Sequence, residues 1–234
     1  MTLVLYDLRG RQNVRYGQFA WRTRMALAHK QLAFETAPVA IHDKAAIAFS
    51  GQDKVPILVD DGEVVCDSWR IAEHLEDRRT GPSLFGSAEG RGVSRFVNAY
   101  VDRVLIPALV PLLMVDVLGC VDAEDGQHLR GQIEPVFKAP LEELAAHRDR
   151  DILAYRKLLD PLRATLRAQP FLCGHQPGYA DYILLSQFQW ARLVSGFPVL
   201  AEADSLNDWR ERMLDLHGGL ARREPGRLDR EAAT

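Results

Sequence analysis

Cysteine is scarce in this chain of 234 residues: Cys66, Cys120 and Cys173 stand far apart and form no C-x-x-C pair. That spacing argues against a disulfide framework and against a dithiol redox motif, and an odd, sparse set suits a reducing cytoplasm. Long apolar runs are also missing. The most apolar stretch, Leu105 to Val115, is broken by Pro107 and Pro111 and has eleven residues, whereas a membrane span needs about 20. It reads as a buried helix, and no membrane partner is expected. The opening Met-Thr-Leu-Val-Leu-Tyr-Asp has no basic segment ahead of an apolar one, so no secretory leader is expected. Neither sign of charge is in large excess: the formal net charge is −3, which leaves no electrostatic footprint for nucleic acid. The seven histidines show no H-E-x-x-H or other metal spacing, so no metal is expected. No G-x-S-x-G elbow or glycine-rich phosphate loop is present either.

What is there has the balance of a soluble globular protein, with 47% hydrophobic and 26% charged residues, enough to bury one large core or two modest ones. Thr2 to Tyr6 is a short β-rich run and predicts a strand. From Gly17 or Gln18 to His29 the spacing turns helical: Phe19, Met25, Leu27 and Ala28 make an apolar face, with Arg22, Arg24 and Lys30 on the polar one. Phe34 to Val39 predicts a second strand and Lys44 to Phe49 a short helical turn. Val55 to Val59 and Glu63 to Cys66 predict two more strands. They are joined at Asp60-Asp61-Gly62, a corner that tolerates the positive φ angles of a tight hairpin. Ser68 to Arg78 resumes helical spacing.

Thr80 to Gly92 holds Gly81, Pro82, Gly86, Gly90 and Gly92 and reads as a linker. Beyond it the pattern is helical. Val93, Phe96, Val97, Tyr100, Val101 and Val104 share one face of a long helix, and Leu141, Leu144 and Ala145 suggest another. Tyr155, Leu158, Leu159, Leu162 and Leu166 form the stripe of a third. Tyr179 to Val194 and Leu206 to Leu216 complete a bundle. Residues 223–234 are polar, contain Pro225 and Gly226, and read as a flexible tail. The expected organisation is an α/β domain over 1–80 of order βαβαββα, a linker over 81–92, and an all-helical domain over 93–222.

Three local patterns carry chemistry. Pro56, in Lys54-Val55-Pro56-Ile57-Leu58, sits at the mouth of an apolar strand, where proline marks an edge or a special bend. Asp67-Ser68 opens a helix, and exposed amides beside a hydroxyl make a small anion site; the plain alternative is a helix cap. Asp181, three residues after Gly178 in Gly178-Tyr179-Ala180-Asp181, sits where a capping box closes, although Gly178 lacks the hydroxyl partner.

In this order these residues resemble the cytosolic glutathione transferases, over roughly Leu3 to Arg222. The run Phe19 to Leu27 and the triplet Asp67-Ser68-Trp69 resemble a bacterial, serine-type subgroup that includes the β-aryl etherases of lignin breakdown. The resemblance implies a thioredoxin-like first domain, a homodimer through the first domain's last helix and the long helix after the linker, and a cytoplasmic role in detoxification. It implies glutathione as co-substrate and a small hydrophobic partner molecule. Phe188, Trp190 and Tyr100 are helical aromatics that read first as core packing, with one or two as candidates to line an apolar pocket between the domains. The resemblance also implies that Pro56 is cis and that Val55 pairs its backbone with the cysteine of glutathione. Ser68 and Asp67 would hold the γ-glutamyl end, and Lys54 and Lys44 the glycine carboxylate.

One position departs from the pattern. Where serine-type relatives keep a Ser-Pro pair, counting back from Trp21-Arg22, this chain has Gly17-Gln18. Without that hydroxyl, the candidates for activating the thiol are the Tyr16 phenol, the Asn13 amide, and the free amides at Gly17, where the helix start carries partial positive charge. Arg9, Arg11, Arg15, Arg22 and Arg24 add positive charge nearby, unless they form a solvated face. Tyr6 is a weaker candidate: Tyr6 to Arg11 resembles the Tyr…Arg-Gly-Arg pattern of tyrosine-type relatives but is one residue short. The leading expectation is a glutathione-dependent transferase acting on an electrophile or an aryl ether. The alternatives are a glutathione-binding or scaffold protein that has lost the activator, and a glutathione-dependent redox or peroxidase role.

Overall fold

Buried and half-buried side chains alternate along Leu3–Leu8, so this segment forms β1, with Leu3, Leu5 and Asp7 on the inner face. The computed structural model describes residues 2–233. β1 lies inside a four-stranded sheet of order β2-β1-β3-β4, where β2 is Glu35–Val39, β3 Ile57–Asp60 and β4 Glu63–Cys66. β2 runs parallel to β1; β3 runs antiparallel to β1, and β4 to β3. A parallel pair needs a crossover, and α1 (Gln18–His29) provides it. The hairpin falls at Asp61 and Gly62, both at positive φ, as the Asp-Gly corner predicts. α2 (Ser68–Arg78) closes the domain after 3₁₀ stretches at Arg11–Asn13 and Ala45–Ser50. The βαβ, short turn, ββα order and the thioredoxin-like arrangement match the expectation from sequence. β3 begins two residues later than predicted, at Ile57, because Pro56 has no N–H to give to a ladder; the Val55–Pro56 peptide is cis.

The helical part starts with α3 (Ala88–Tyr100), which passes through a π-helical turn (Val101–Leu105) into α4 (Ile106–Val117). The widened turn precedes Pro107, whose ring has no donor for a regular helical bond. Then follow α5 (Ala123–Phe137), α6 (Leu141–Ala146), α7 (Arg148–Leu158), α8 (Asp160–Ala168), α9 (Tyr179–Val194), α10 (Leu206–Arg223) and α11 (Arg227–Ala232).

Several elements differ from their sequence pattern. The stripe from Tyr155 to Leu166 divides into α7 and α8, because Pro161 starts a new helix more readily than it continues an old one. The outer part of the α3 stripe is not buried: Val93 and Phe96 are exposed. α10 continues past Leu216 through a break in which His217, Gly218 and Gly219 all take left-handed backbone angles. Within the stretch expected to be a loose tail, α11 docks on the bundle, where Arg227 donates to the carbonyls of Asp116 and Val194 at 3.1 and 3.3 Å, and Arg230 to that of Leu193 at 2.6 Å.

The largest correction concerns α1. Its expected polar face is buried, and so is nearly everything from Ala20 to Leu27. Arg22 reaches Ser186 on α9 (3.1 Å), Asn98 on α3 (3.0 Å) and Asp102 in the π-turn (2.7 Å). Arg24 meets Asp7 at 2.8 Å, and Lys30 meets Glu76 on α2 at 2.7 Å. The inner sheet face, α1 and α2 thus share one core with the bundle, including Leu5, Met25, Leu75, Tyr179 and Trp209. A smaller cluster of Val39, Ile47 and Ile57 covers the outer sheet face.

Two polar assemblies hold the bundle. Asp181 is wholly buried and accepts from the amides of Leu172 (2.7 Å), Cys173 (3.2 Å) and Gly178 (3.2 Å) and from Trp209 Nε1 (3.0 Å). Gly178 has no side chain to return a bond, so this is half a capping box. The second assembly is a relay at the domain junction. The Ser83 carbonyl accepts from His29 Nε2 (3.0 Å), so His29 Nδ1 accepts from the Tyr182 hydroxyl (2.6 Å), which in turn accepts from His217 Nε2 (3.1 Å). Burial pushes both histidines down, His217 to about 4.

Asp181→Ala strands four donors at once and is expected to cost roughly 3 kcal/mol in urea unfolding; a loss below about 1 kcal/mol would show that the donors find other acceptors. The His217 base is weaker folded than unfolded, so the unfolded state takes up the proton first. Stability is therefore expected to fall as pH drops from about 6.5 towards 4. His217→Gln should flatten that fall in denaturation curves measured across this range.

Candidate active site at the head of α1

The chain between β1 and α1 is held from several sides. Arg15 donates through Nε to Asp7 Oδ2 (3.5 Å) and through Nη1 to Asn13 Oδ1 (3.3 Å); its carbonyl accepts from Trp21 Nε1 (2.7 Å) and its amide donates to Glu224 (3.1 Å). This places Tyr16 and Gly17 at the start of α1, where Gly17 is the N-cap and supplies no side-chain bond. The first amides of α1 therefore keep their free donors and the partial positive charge of a helix start. Tyr16 is almost fully buried, and its hydroxyl has no hydrogen-bond partner among the described residues. Burial raises the phenol well above its ordinary range, with Asp125, Cys120 and Asp7 adding to the shift. At neutral pH it is a protonated donor.

A cavity of about 140 Å³ opens in front of these groups, walled by Tyr16, Gly17, Leu8, Val55, Met114 and Trp190. It lies between the sheet domain and α4, α5 and α9, where an apolar pocket was expected. Trp190 lines it; Phe188 lines a different hollow near α10, and the Tyr100 hydroxyl donates to the Leu158 carbonyl at 2.5 Å. A second hollow of about 190 Å³ shares Leu8, Phe19, Ile41 and Val55 with the first and adds Lys44 and Lys54. Lys44 Nζ donates to the Asp53 carbonyl at 2.8 Å, so its cation sits beside Lys54's own loop. Asp125 Oδ1 accepts from His42, at 3.0 Å from the amide and 2.5 Å from Nδ1, and ties the Lys44 loop to α5.

Asp67 and Ser68 stand at the start of α2, outside the lining of either hollow but next to Pro56. Asp67 stands at φ 77°, and its Oδ1 accepts from the amides of Trp69 (3.0 Å) and Arg70 (3.1 Å). The residue is the helix cap and also borders a groove of about 930 Å³ between α2 and α3. Ser68 is buried, and its carbonyl accepts from the Tyr179 hydroxyl at 2.6 Å. The fold thus gathers Tyr16, Gly17, Val55, Lys44 and Lys54 around the two hollows, and Pro56 joins them to Asp67 and Ser68, since its carbonyl accepts from the Asp67 amide at 3.3 Å. Asn13 is exposed and turned to Arg15, and the Tyr6 ring packs tilted against Phe49 at 5.0 Å; neither lines the cavity. Of the five arginines, Arg9 and Arg11 are surface groups facing Asp122, while Arg15, Arg22 and Arg24 are buried.

The sequence pattern missed Asp7. It is fully buried, with Oδ2 between Arg24 and Arg15 and Oδ1 unpartnered among the described residues. Burial pushes its carboxyl up against the pull of the two guanidinium groups. The signal was its register: Leu3, Leu5 and Asp7 share a strand face, and an acid on the apolar side is the exception.

Comparison with known proteins matches two family models, the glutathione S-transferase N-terminal domain over residues 16–78 and the C-terminal domain over residues 93–220. This chain belongs to the glutathione S-transferase family. It is 26% identical over 142 residues to a glutathione S-transferase-like protein of Aspergillus flavus, covering 53% of this chain and 49% of that protein. It is 36% identical over 107 residues to a maleylacetoacetate isomerase of Pseudomonas aeruginosa, covering 40% and 50%. The chain spans about half the length of these relatives. A glutathione transferase from Phanerochaete chrysosporium superposes with a TM-score of 0.74 at 23% identity, over 94% of this chain and 92% of that one. One from Ceriporiopsis subvermispora, crystallised with glutathione, gives 0.73 at 18% identity, over 96% and 95%. At such identities the likeness carries the fold. Within this transferase-family chain no helix among the described residues is long and apolar enough to cross a membrane.

Asp67→Ala removes the α2 cap from a left-handed position and is expected to cost about 1–2 kcal/mol in denaturant unfolding, with Asp67→Asn much closer to wild type. An unchanged midpoint in the alanine variant would show that the α2 amides do not need the carboxylate.

Proposed function

We propose that this chain is a glutathione-dependent transferase that acts on a small, apolar electrophile or aryl ether. The observation that carries the reading is a shared opening: Tyr16, whose hydroxyl has no partner among the described residues, and the uncapped start of α1 line the same cavity as Val55. Glutathione would lie from α2 to the head of α1. Asp67 and the Ser68 amide take its γ-glutamyl end, the Val55 backbone ahead of Pro56 pairs with its cysteine, and Lys44 and Lys54 face its glycine carboxylate. The thiol then enters the cavity, where the phenol donates to sulfur and the α1 amides favour negative charge.

The thiol proton leaves to solvent, and the thiolate attacks the electrophilic carbon. With an aryl ether, the C–S bond forms as the C–O bond breaks, and the departing aryloxide takes a proton from water. The neutral wall of Leu8, Ile41, Met114 and Trp190 suits an apolar acceptor. The Phe19 to Leu27 run and the Asp67-Ser68-Trp69 triplet support the serine-type, etherase-like subgroup. Exposed Val93 and Phe96 on α3 support pairing of two copies across α2 and α3. The sparse cysteines support a reducing, cytoplasmic setting, and the family resemblance supports a role in detoxification. Gly17, which offers no hydroxyl, is the observation that favours the second reading, a glutathione holder without catalysis.

Calorimetric titration with glutathione, together with thiolate absorbance followed against pH, tests the proposal. The bound thiol is expected to ionise at least about one pH unit below free glutathione, and Tyr16→Phe is expected to raise that midpoint and lower kcat about tenfold or more. Tight binding with an unshifted thiol would favour the holder. A depressed midpoint that survives Tyr16→Phe would assign the effect to the α1 amides, and an absence of binding would defeat both readings.

A further inference from the structure

Glycine at residue 17 is not required by its backbone. Its φ of −64° and ψ of 103° are open to any residue. The requirement comes from a neighbour. A Cβ placed on residue 17 would stand 2.8 Å from Asp7 Oδ1, inside van der Waals contact, and 3.4 Å from Leu8 Cβ. Asp7 cannot swing aside freely, because it is short, fully buried and gripped by Arg24 at 2.8 Å and Arg15 at 3.5 Å. Arg24 is itself packed over the Trp21 ring at 4.9 Å, and Arg15 is tied to Asn13 and Glu224. The carboxylate oxygen that faces Gly17 is the one with no partner of its own.

We propose that Asp7 is the positioning residue at the sulfur end of the site, and that Asp7 and Gly17 work as a coupled pair. Asp7 holds the 13–17 segment from below through Arg15. It also fills the volume that a side chain on residue 17 would need, so the front of the cavity is built from the Tyr16 phenol and backbone amides. The inference rests on the glutathione-transferase reading for its catalytic half only. The missing serine hydroxyl and the buried acid are then one change: a serine at residue 17 would be driven into the carboxylate. The charged and titratable groups acting on Tyr16 are Asp7 from β1, Arg9 from the connecting segment, and Asp125 and Cys120 from the helical domain. Those acting on Asp7 are Arg15 and Arg24.

The test uses Gly17→Ala, Gly17→Ser and Asp7→Asn in the full chain, with Gly131→Ala on α5, where an added methyl meets open space, as a control. Both Gly17 variants are expected to lose at least about 3 °C of thermal midpoint, while the control loses none. Gly17→Ser is expected to conjugate glutathione no faster than Gly17→Ala, each about tenfold or more below wild type in kcat. The near-isosteric Asp7→Asn keeps its shape but withdraws the counter-charge of Arg15 and Arg24. It is expected to move the bound-thiolate absorbance midpoint to lower pH, with KM for glutathione changed by no more than about threefold. A merely structural Asp7 would leave that midpoint where it is.

The proposal is overturned by a Gly17→Ser chain as stable as wild type, by a Gly17→Ser chain more active than Gly17→Ala, or by a folded Asp7→Asn chain with an unmoved thiol midpoint. Should Asp7→Asn fail to fold, the Gly17 pair decides. Failure of the wild-type chain to bind glutathione would defeat the underlying functional reading, whereas the thermal comparison judges the Asp7–Gly17 contact without any glutathione.

Discussion

A helix whose middle is wholly buried can carry cations only if each meets an anion, and α1 with its C-terminal cap carries three. Arg22, Arg24 and Lys30 are buried, and their partners Asp102, Asp7 and Glu76 lie on three different elements: the π-turn after α3, the central strand β1, and α2. Taking a lone charge out of water costs several kcal/mol, so a slip of any of these elements against α1 would strand an ion. The pairs need not add much net stability over well-packed apolar residues. Their effect is on uniqueness: only one placement of sheet, second helix and bundle around α1 satisfies all three. Arg22 adds hydrogen bonds to Ser186 and Asn98, so the two domains meet in a fixed orientation.

The candidate site depends on that placement. Its cavity takes one wall from the end of β1, one from the start of α1, one from the Val55 loop, and the rest from α4, α5 and α9. No single domain encloses it. The apolar wall is assembled across the joint that Arg22 fixes, and the polar front is assembled by residues that Asp7 and Arg15 hold. The same acid that neutralises Arg24 inside the core therefore governs the geometry of the segment in front of it.

Much of this was legible in the sequence, and the reasons are local. The Asp-Gly hairpin, the Val55-Pro56 pair and the helical run from Tyr179 to Val194 are each dictated by neighbours in the chain, through backbone φ, a missing donor, or a periodic face. The subdivision at Pro161 was local too, but the continuous leucine stripe concealed it. What could not be read was long-range. Arg22 and Arg24 look like a polar helix face until Asp102 and Asp7 are known to lie behind them. Gly17 looks like a lost hydroxyl until Asp7 Oδ1 is seen where a Cβ would have to stand. Asp67 could be read both as a cap and as a ligand-holding residue; its bonds to the α2 amides establish the first role and leave its second oxygen for the other. α5 had no clear apolar stripe, since Gly126, Gly131 and Pro135 interrupt it.

The bond from the Arg15 amide to Glu224 joins residues 209 positions apart. Nearby, α11 is secured to α9 and to the end of α4 by Arg227 and Arg230. During synthesis, domains form from the amino-terminal end as the chain emerges. The sheet and α1 can assemble early, yet the segment carrying Tyr16 and Gly17 lacks this fastening until Glu224 has left the ribosome. The head of α1 is therefore among the first parts of the molecule to be made and among the last to be secured.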